Sequence, residues 1–231
     1  MKRLWLIHLT SLIAIAIWAV SDPLFETTIQ YRGLSDASQN VGWIRVASFT
    51  LVVIFAIGSL LALLFQTLSR RSAPRHRSTR QLLAITTVIA VWFSFALYHD
   101  AIAWQGKRLR FATRVDELEA IVAPLRYEWP DRDGELRGIG PFMAYPFGRP
   151  TTLLLLEAPR VAERSVYVSA VERSDTGAIK LQLTGTDGGD WAEWHPPGSQ
   201  PSSFTGGLAD SHELQSATSI GNGWYLVRYR A

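Results

Sequence analysis

The sequence predicts a membrane protein: three transmembrane α-helices followed by a small α+β domain of one helix and five or six mostly antiparallel strands. Three observations predict it. Long apolar stretches fall at residues 4–20, 44–68 and 82–104, the last two longer than the roughly 20 residues a helix needs to cross a hydrocarbon core and the first a little short of it. A run of arginines separates the second stretch from the third. Beyond residue 104 the apolar pattern becomes short and punctuated by turn residues, as in antiparallel sheets.

Charge divides the chain in the same place. Residues 1–104 hold nine Lys/Arg and four Asp/Glu; residues 105–231 hold fourteen and sixteen. The basic balance therefore belongs to the anchor (1–104). The C-terminal domain (105–231) is mildly acidic and lacks the basic face that phosphate neutralisation needs, which argues against nucleic acid as a partner. Cysteine is absent, which excludes disulfides, thiolate nucleophiles and Cys-based metal centres.

The first stretch opens with Lys2 and Arg3. A basic start and small residues near Ala19 also suit a signal peptide, but the apolar length and Trp18 favour an uncleaved helix. The second stretch carries only Arg45 near its start and Gln66 near its end. The third carries His99 and Asp100 near its end. Trp5, Trp43 and Trp104 sit at the predicted helix ends, where interfacial aromatics concentrate. Arg45 and Asp100 fall at similar depth in antiparallel neighbours, a candidate interhelical ion pair set against separate snorkelling. No ionisable group sits near the middle of a stretch, so no transport path is evident. Gly58 and Ala62 form a small-xxx-small pair that suits a neighbouring helix.

Orientation follows from the loops. Residues 69–81 carry Arg70, Arg71, Arg75, Arg77 and Arg80 with no acid, the signature of a cytoplasmic loop. The expected localisation is the plasma (inner) membrane, multi-pass, with the N-terminus cytoplasmic and the C-terminal domain extracytoplasmic. Lys107, Arg108, Arg110 and Arg114 oppose this assignment but are outnumbered.

In the C-terminal domain, residues 113–125 read as a helix. Thr113 or Asp116 can cap it, Val115, Leu118, Ile121 and Val122 make its apolar stripe, and Pro124 closes it. Strands are expected at 151–157, 165–173, 178–184, 191–195, 213–220 and 224–230, and the loop-like region before them holds room for one short strand within 136–145. Gly221-Asn222-Gly223 marks a hairpin between the last two. Residues 196–210 form a long loop rich in Pro, Gly and Ser, and loops of that length in compact domains are commonly functional.

Candidate chemistry is sparse. Asp175-Thr176-Gly177-Ala178 resembles the active-site string of retroviral-type aspartic proteases over four residues. Those enzymes place the string after an apolar strand; here it follows polar Glu172-Arg173-Ser174, so a hairpin turn is expected. Glu193 and His195 share one strand face, and Asp210 and His212 follow the long loop. Glu193, His195 and His212 are candidate metal ligands, and with Asp210 a candidate acid–base group, although the spacing matches no zinc signature. No Gly-x-Ser-x-Gly elbow and no glycine-rich phosphate loop occur. Trp129, Phe142, Tyr145, Phe147, Trp191 and Trp194 are a candidate binding surface for glycan or peptide, set against filling a small core.

The function expected from this pattern is a membrane-anchored extracytoplasmic binding or interaction module. It has no cofactor, and its expected partners are the lipid bilayer and another membrane or envelope protein. The alternative is a small membrane-tethered hydrolase or metal-dependent enzyme using Glu193, His195, Asp210 and His212. A third reading, a cytoplasmic regulatory domain, requires the arginine loop to lie outside.

Overall fold

The computed structural model describes residues 2–21, 43–68, 79–161, 166–184 and 189–230. The chain forms two compact units, Met1–Lys107 and Arg108–Ala231.

The first unit holds α1 (Lys2–Ser21), α2 (Trp43–Leu68) and α3 (Thr79–Leu97), with α4 (His99–Ala112) leading into the second unit. Helices α1 and α2 are each long and apolar enough to cross a membrane. The third expected span is not one straight helix. It breaks at Tyr98, and the axes of α3 and α4 differ by 71°. The sequence there runs Tyr-His-Asp, which interrupts the apolar face. The described chain thus has two candidate spans, or three if the bent pair makes one crossing.

Helices α1 and α2 are tied by a polar contact within an apolar surface. His8 Nδ1 lies 3.0 Å from Ser59 Oγ and 3.2 Å from the Ala56 carbonyl. Ala56, Ser59 and Leu63 are the buried residues of α2 there, not the expected Gly58–Ala62 pair: the space a Gly58 Cβ would take is open. At the other end Trp18 packs edge-on against Phe49, with ring centroids 5.5 Å apart. The basic loop 69–78 lies outside the described residues, as does the side chain of Asp100, so the expected Arg45–Asp100 pair is not described.

The second unit pairs one helix with one sheet. Helix α5 (Val115–Tyr127) buries Val115, Leu118, Ile121, Val122 and Leu125. It begins two residues later than expected. Thr113 does not cap it, because its hydroxyl donates back to the Arg110 carbonyl at 2.8 Å. Pro124 also does not close it. Proline costs a helix the hydrogen bond of its own nitrogen, but near the C-terminus the next turn forms without it. The Glu128 amide donates to the Pro124 carbonyl at 3.1 Å, and Arg126 reaches back to Glu119 through two bonds of 2.6 Å.

The sheet has nine strands, more than the five or six expected, and every neighbouring pair is antiparallel. They are β1 (Gly134–Leu136), β2 (Gly140–Tyr145), β3 (Thr152–Leu155), β4 (Tyr167–Arg173), β5 (Ile179–Thr184), β6 (Asp190–Trp194), β7 (Phe204–Thr205), β8 (Ser211–Gly221) and β9 (Trp224–Arg230). Six of them, β3, β4, β5, β6, β8 and β9, lie where strands are expected after residue 150. The surplus is β2, within the expected 136–145 region, and two brief pairings, β1 and β7, that alternation alone does not signal. Strand order is β1-β2-β3-β4-β5-β6-β9-β8-β7. The chain is a meander up to β6. It then passes to the far edge, enters as β7, and returns through β8 and β9 to pair with β6.

One sheet face is apolar and belongs to the helix side. Leu153, Val171, Leu181, Ala192 and Leu226 form one registered row across it, all buried. Trp224 Nε1 donates to Glu119 Oε2 of α5 at 3.0 Å, and the Arg126 guanidinium lies 3.7 Å above the Trp194 ring. The other face carries the candidate site.

Candidate functional site

Antiparallel register places Thr152, Glu172, Lys180, Glu193 and Tyr225 in one line across β3, β4, β5, β6 and β9. The first four are buried. The alternation of β5 sets Lys180 opposite the face of Ile179 and Leu181, where a lysine is ordinarily solvated. Here the segment leaving β6 passes over that face on its way to β7. Tyr229 Oη lies 3.2 Å from the Ser202 carbonyl, and Ser203 Oγ accepts the Leu214 amide at 2.9 Å. The long loop expected at 196–210 is therefore a roof, and it buries charged groups beneath it.

Glu193 is the hub. Tyr229 Oη donates to its Oε1 at 2.7 Å, Lys180 Nζ lies 3.6 Å from the same oxygen, and His195 Nε2 lies 2.7 Å from its Oε2. Lys180 Nζ also sits 3.2 Å from the centre of the Phe204 ring, a cation–π contact supplied by the roof. Burial pulls the Lys180 ammonium below the usual lysine range, against the opposing pull of Glu193 and Glu172. Burial pushes the Tyr229 phenol up, reinforced by the adjacent Glu193 charge, so it stays a donor. Burial likewise raises Glu172, joined by repulsion from Asp210 and Glu193 and offset by the Gly207 amide and Lys180.

A cavity of about 350 Å³ opens between roof and sheet. It is lined by Glu172 and Lys180 from the sheet, the Arg173-Ser174-Asp175 hairpin, Thr151, and Phe204–Gly207 from the roof. Two glycines allow the roof to sit so low. A Cβ on Gly207 would lie 2.0 Å from Thr152 Oγ1, and one on Gly206 would lie 2.5 Å from Asp210 Oδ1. The Thr152 hydroxyl is buried and makes no hydrogen bond among the described residues. Asp175-Thr176-Gly177 is a hairpin turn: Gly177 adopts φ 80°, and the Ser174 amide donates to the Ala178 carbonyl at 2.9 Å.

The side chains expected as metal ligands or acid–base groups form two separate pairs. Glu193 and His195 are one. His212 and Asp210 are the other, with Nε2 and Oδ2 2.8 Å apart but off the hydrogen-bonding direction. Tyr229 links them, bonding Glu193 through its hydroxyl while its ring centroid lies 5.9 Å from that of His212. His212 is instead packed among rings, stacked on Phe204 at 4.8 Å and edge-on to Trp191 at 5.2 Å. Among the described residues no three His, Asp or Glu side chains gather closely enough to hold a metal ion.

The six aromatics do not make one surface. Phe142 and Trp191 are core residues. Trp129 is half-buried, donating to the Pro150 carbonyl at 2.7 Å, and Trp194 lies beneath Arg126. Tyr145 and Phe147 are exposed at the β2–β3 turn. Sequence reasoning missed Glu172, Lys180, Tyr229 and Ser199, whose Oγ lies 2.9 Å from His195 Nδ1. The available signal was the polar register line through Lys180 and Glu193 lying next to a long loop.

Comparison of the chain with family models, with curated proteins and with solved structures finds no match.

Proposed function

We propose that this protein is a membrane-anchored binding module whose ligand site is the cavity under Phe204–Gly207. The observation that carries this reading is the roof itself: the loop is held over charged side chains, and the cavity it leaves offers both charge signs and several hydroxyls. Such a site suits a polar group presented by another membrane or envelope protein, since a few convergent polar groups in a concavity fix a ligand's orientation. The apolar helices supply the anchor, and the arginine loop supports a cytoplasmic N-terminus with the domain outside. No charge at mid-membrane supports transport.

The test is crosslinking of the full-length protein in intact cells, followed by isolation from membranes. Thr205 is exposed on the cavity rim, so Thr205→Trp fills the site without entering the core. A partner captured by the natural protein and lost with Thr205→Trp is the expected result. A captured set that Thr205→Trp leaves unchanged removes the cavity from the function.

A second reading, a membrane-tethered hydrolase, is favoured by one observation, the bonded Glu193–His195 pair.

A further inference from the structure

The Glu193–His195 pair extends to a third residue. His195 follows β6, and four residues later Ser199 closes a turn through Pro196, Pro197 and Gly198, its amide donating to the Pro196 carbonyl at 3.0 Å. That turn brings Ser199 Oγ to 2.9 Å from His195 Nδ1, while His195 Nε2 lies 2.7 Å from Glu193 Oε2. We propose that Ser199 is a nucleophile, His195 its general base and Glu193 the group that orients the imidazole, and that the substrate is a carboxylic ester of a small acyl group. This goes beyond the binding reading and rests on the hydrolase alternative, with Ser199 in place of Asp210 and His212.

Protonation follows from the partners. An ionised carboxylate only accepts hydrogen bonds, so Nε2 of the neutral ring must carry the proton. That leaves the Nδ1 lone pair facing Ser199, whose hydroxyl therefore donates to it. This is the arrangement a nucleophile and its base require, and it is recognised by geometry and role rather than by sequence order. Glu193 is fully buried and is held by Tyr229 and Lys180, which act as positioning residues.

Access fits as well. His195 is buried, but Ser199 is half-buried and its neighbours Pro197, Gly198 and Gln200 are exposed. The space beside Gly198, at φ 85°, is open. The amides of Gly198 and Gln200, next to Ser199 in the chain, make no backbone hydrogen bond among the described residues, and they are the donors assigned here to the developing oxyanion. The exposed Pro197, Gly198 and Gln200 leave the turn open to a short acyl ester, which needs no deep pocket to reach Ser199.

The steps balance without a cofactor. Ser199 Oγ adds to the ester carbonyl carbon and its proton passes to Nδ1. The bond to the alkoxide breaks, and the alkoxide leaves with that proton. Water then adds to the acyl carbon, gives a proton to Nδ1, and Ser199 Oγ departs carrying it. Ester and water become acid and alcohol.

The test uses the full-length protein in detergent, a fluorophosphonate probe and p-nitrophenyl acetate turnover. The expected result is a single adduct on Ser199, abolished in Ser199→Ala, with labelling and turnover lowered at least about 100-fold in His195→Gln, the scale of a lost general base. An unchanged unfolding midpoint in Ser199→Ala separates lost chemistry from lost fold. An unlabelled natural protein, an adduct that survives Ser199→Ala, or turnover equal to that of Ser199→Ala overturns the proposal. Labelling needs no partner and no ligand in the cavity, so its failure leaves the binding reading untouched.

Discussion

Lys180 and Glu193 face each other directly across β5 and β6, the ammonium 3.6 Å from Oε1, and both side chains are closed off from water. Removing one partner of a buried pair strands the other charge in a low-dielectric place, at a cost of about 3–5 kcal/mol. Lys180→Met and Glu193→Gln are each expected to lose stability on that scale. The double variant is expected to lose clearly less than the sum, because no uncompensated charge remains. Denaturant unfolding of the full-length protein, followed by tryptophan fluorescence, measures the coupling; additive losses show that the two groups do not act as a pair.

Two glutamates of the domain are expected to set opposite pH trends. Burial raises the Glu172 carboxyl, so the folded state binds its proton more tightly than the unfolded chain does. That stability is present at acid pH and is lost as pH rises through the raised value. For Glu119, burial also pushes upward, but the bonds from Arg126 and Trp224 outweigh it and leave the carboxyl below its usual value. Its contribution is present above the ordinary glutamate range and is lost as pH falls through the depressed value. Glu172→Gln is therefore expected to flatten the slope on the rising side, and Glu119→Gln the slope on the acid side. Unfolding midpoints across pH 3–8 check both, on about the range where carboxylates titrate. An unchanged slope in either variant removes that residue from the account.

The long apolar helices and most of the strands were legible in the sequence because each rests on local pattern. Apolar length marks α1 and α2, and alternation marks β5, where Ile179, Leu181 and Leu183 share a face. The site was not legible for a physical reason. Whether the Lys180 face of β5 meets water depends on where residues 196–203 travel, and that depends on β7 pairing at the far edge rather than beside β6. Two residues of strand carry that decision, too few to show a period. Glu193 and His195 were visible as a pair through their spacing. Tyr229, which completes the hub, comes from 36 residues away and required the fold.

Gly207 is expected to tolerate no side chain. A methyl there meets Thr152 Oγ1 at 2.0 Å and Thr152 Cβ at 3.0 Å, so the roof must lift. Overpacking of this kind costs about 1–3 kcal/mol. The lost contact also loosens the Gly207 amide from Glu172, now 3.4 Å away. Thr152→Ala removes a buried hydroxyl that has no partner, so alone it is expected to cost little. In the Gly207→Ala background it should restore part of the loss by making room. Failure of Thr152→Ala to relieve Gly207→Ala, read from unfolding midpoints, shows that the strain lies elsewhere.

Whether α3 and α4, bent at Tyr98, make one crossing decides on which side of a membrane the domain would lie. If α3 and α4 complete a third crossing, the N-terminus and the domain are on opposite sides. If they do not, two crossings return both to the same side. The arginine-rich loop argues for an N-terminus inside, and with three crossings the domain is then outside. The natural absence of cysteine makes this directly measurable, since any introduced thiol is the only one. Arg132 is exposed in the domain, and Ser72 lies in the arginine loop. A membrane-impermeant maleimide is expected to label Arg132→Cys in intact cells and Ser72→Cys only after lysis. Labelling of both only after lysis means that α3 and α4 do not cross, and it moves the cavity, its ligand and the Ser199 turn into the cytoplasm.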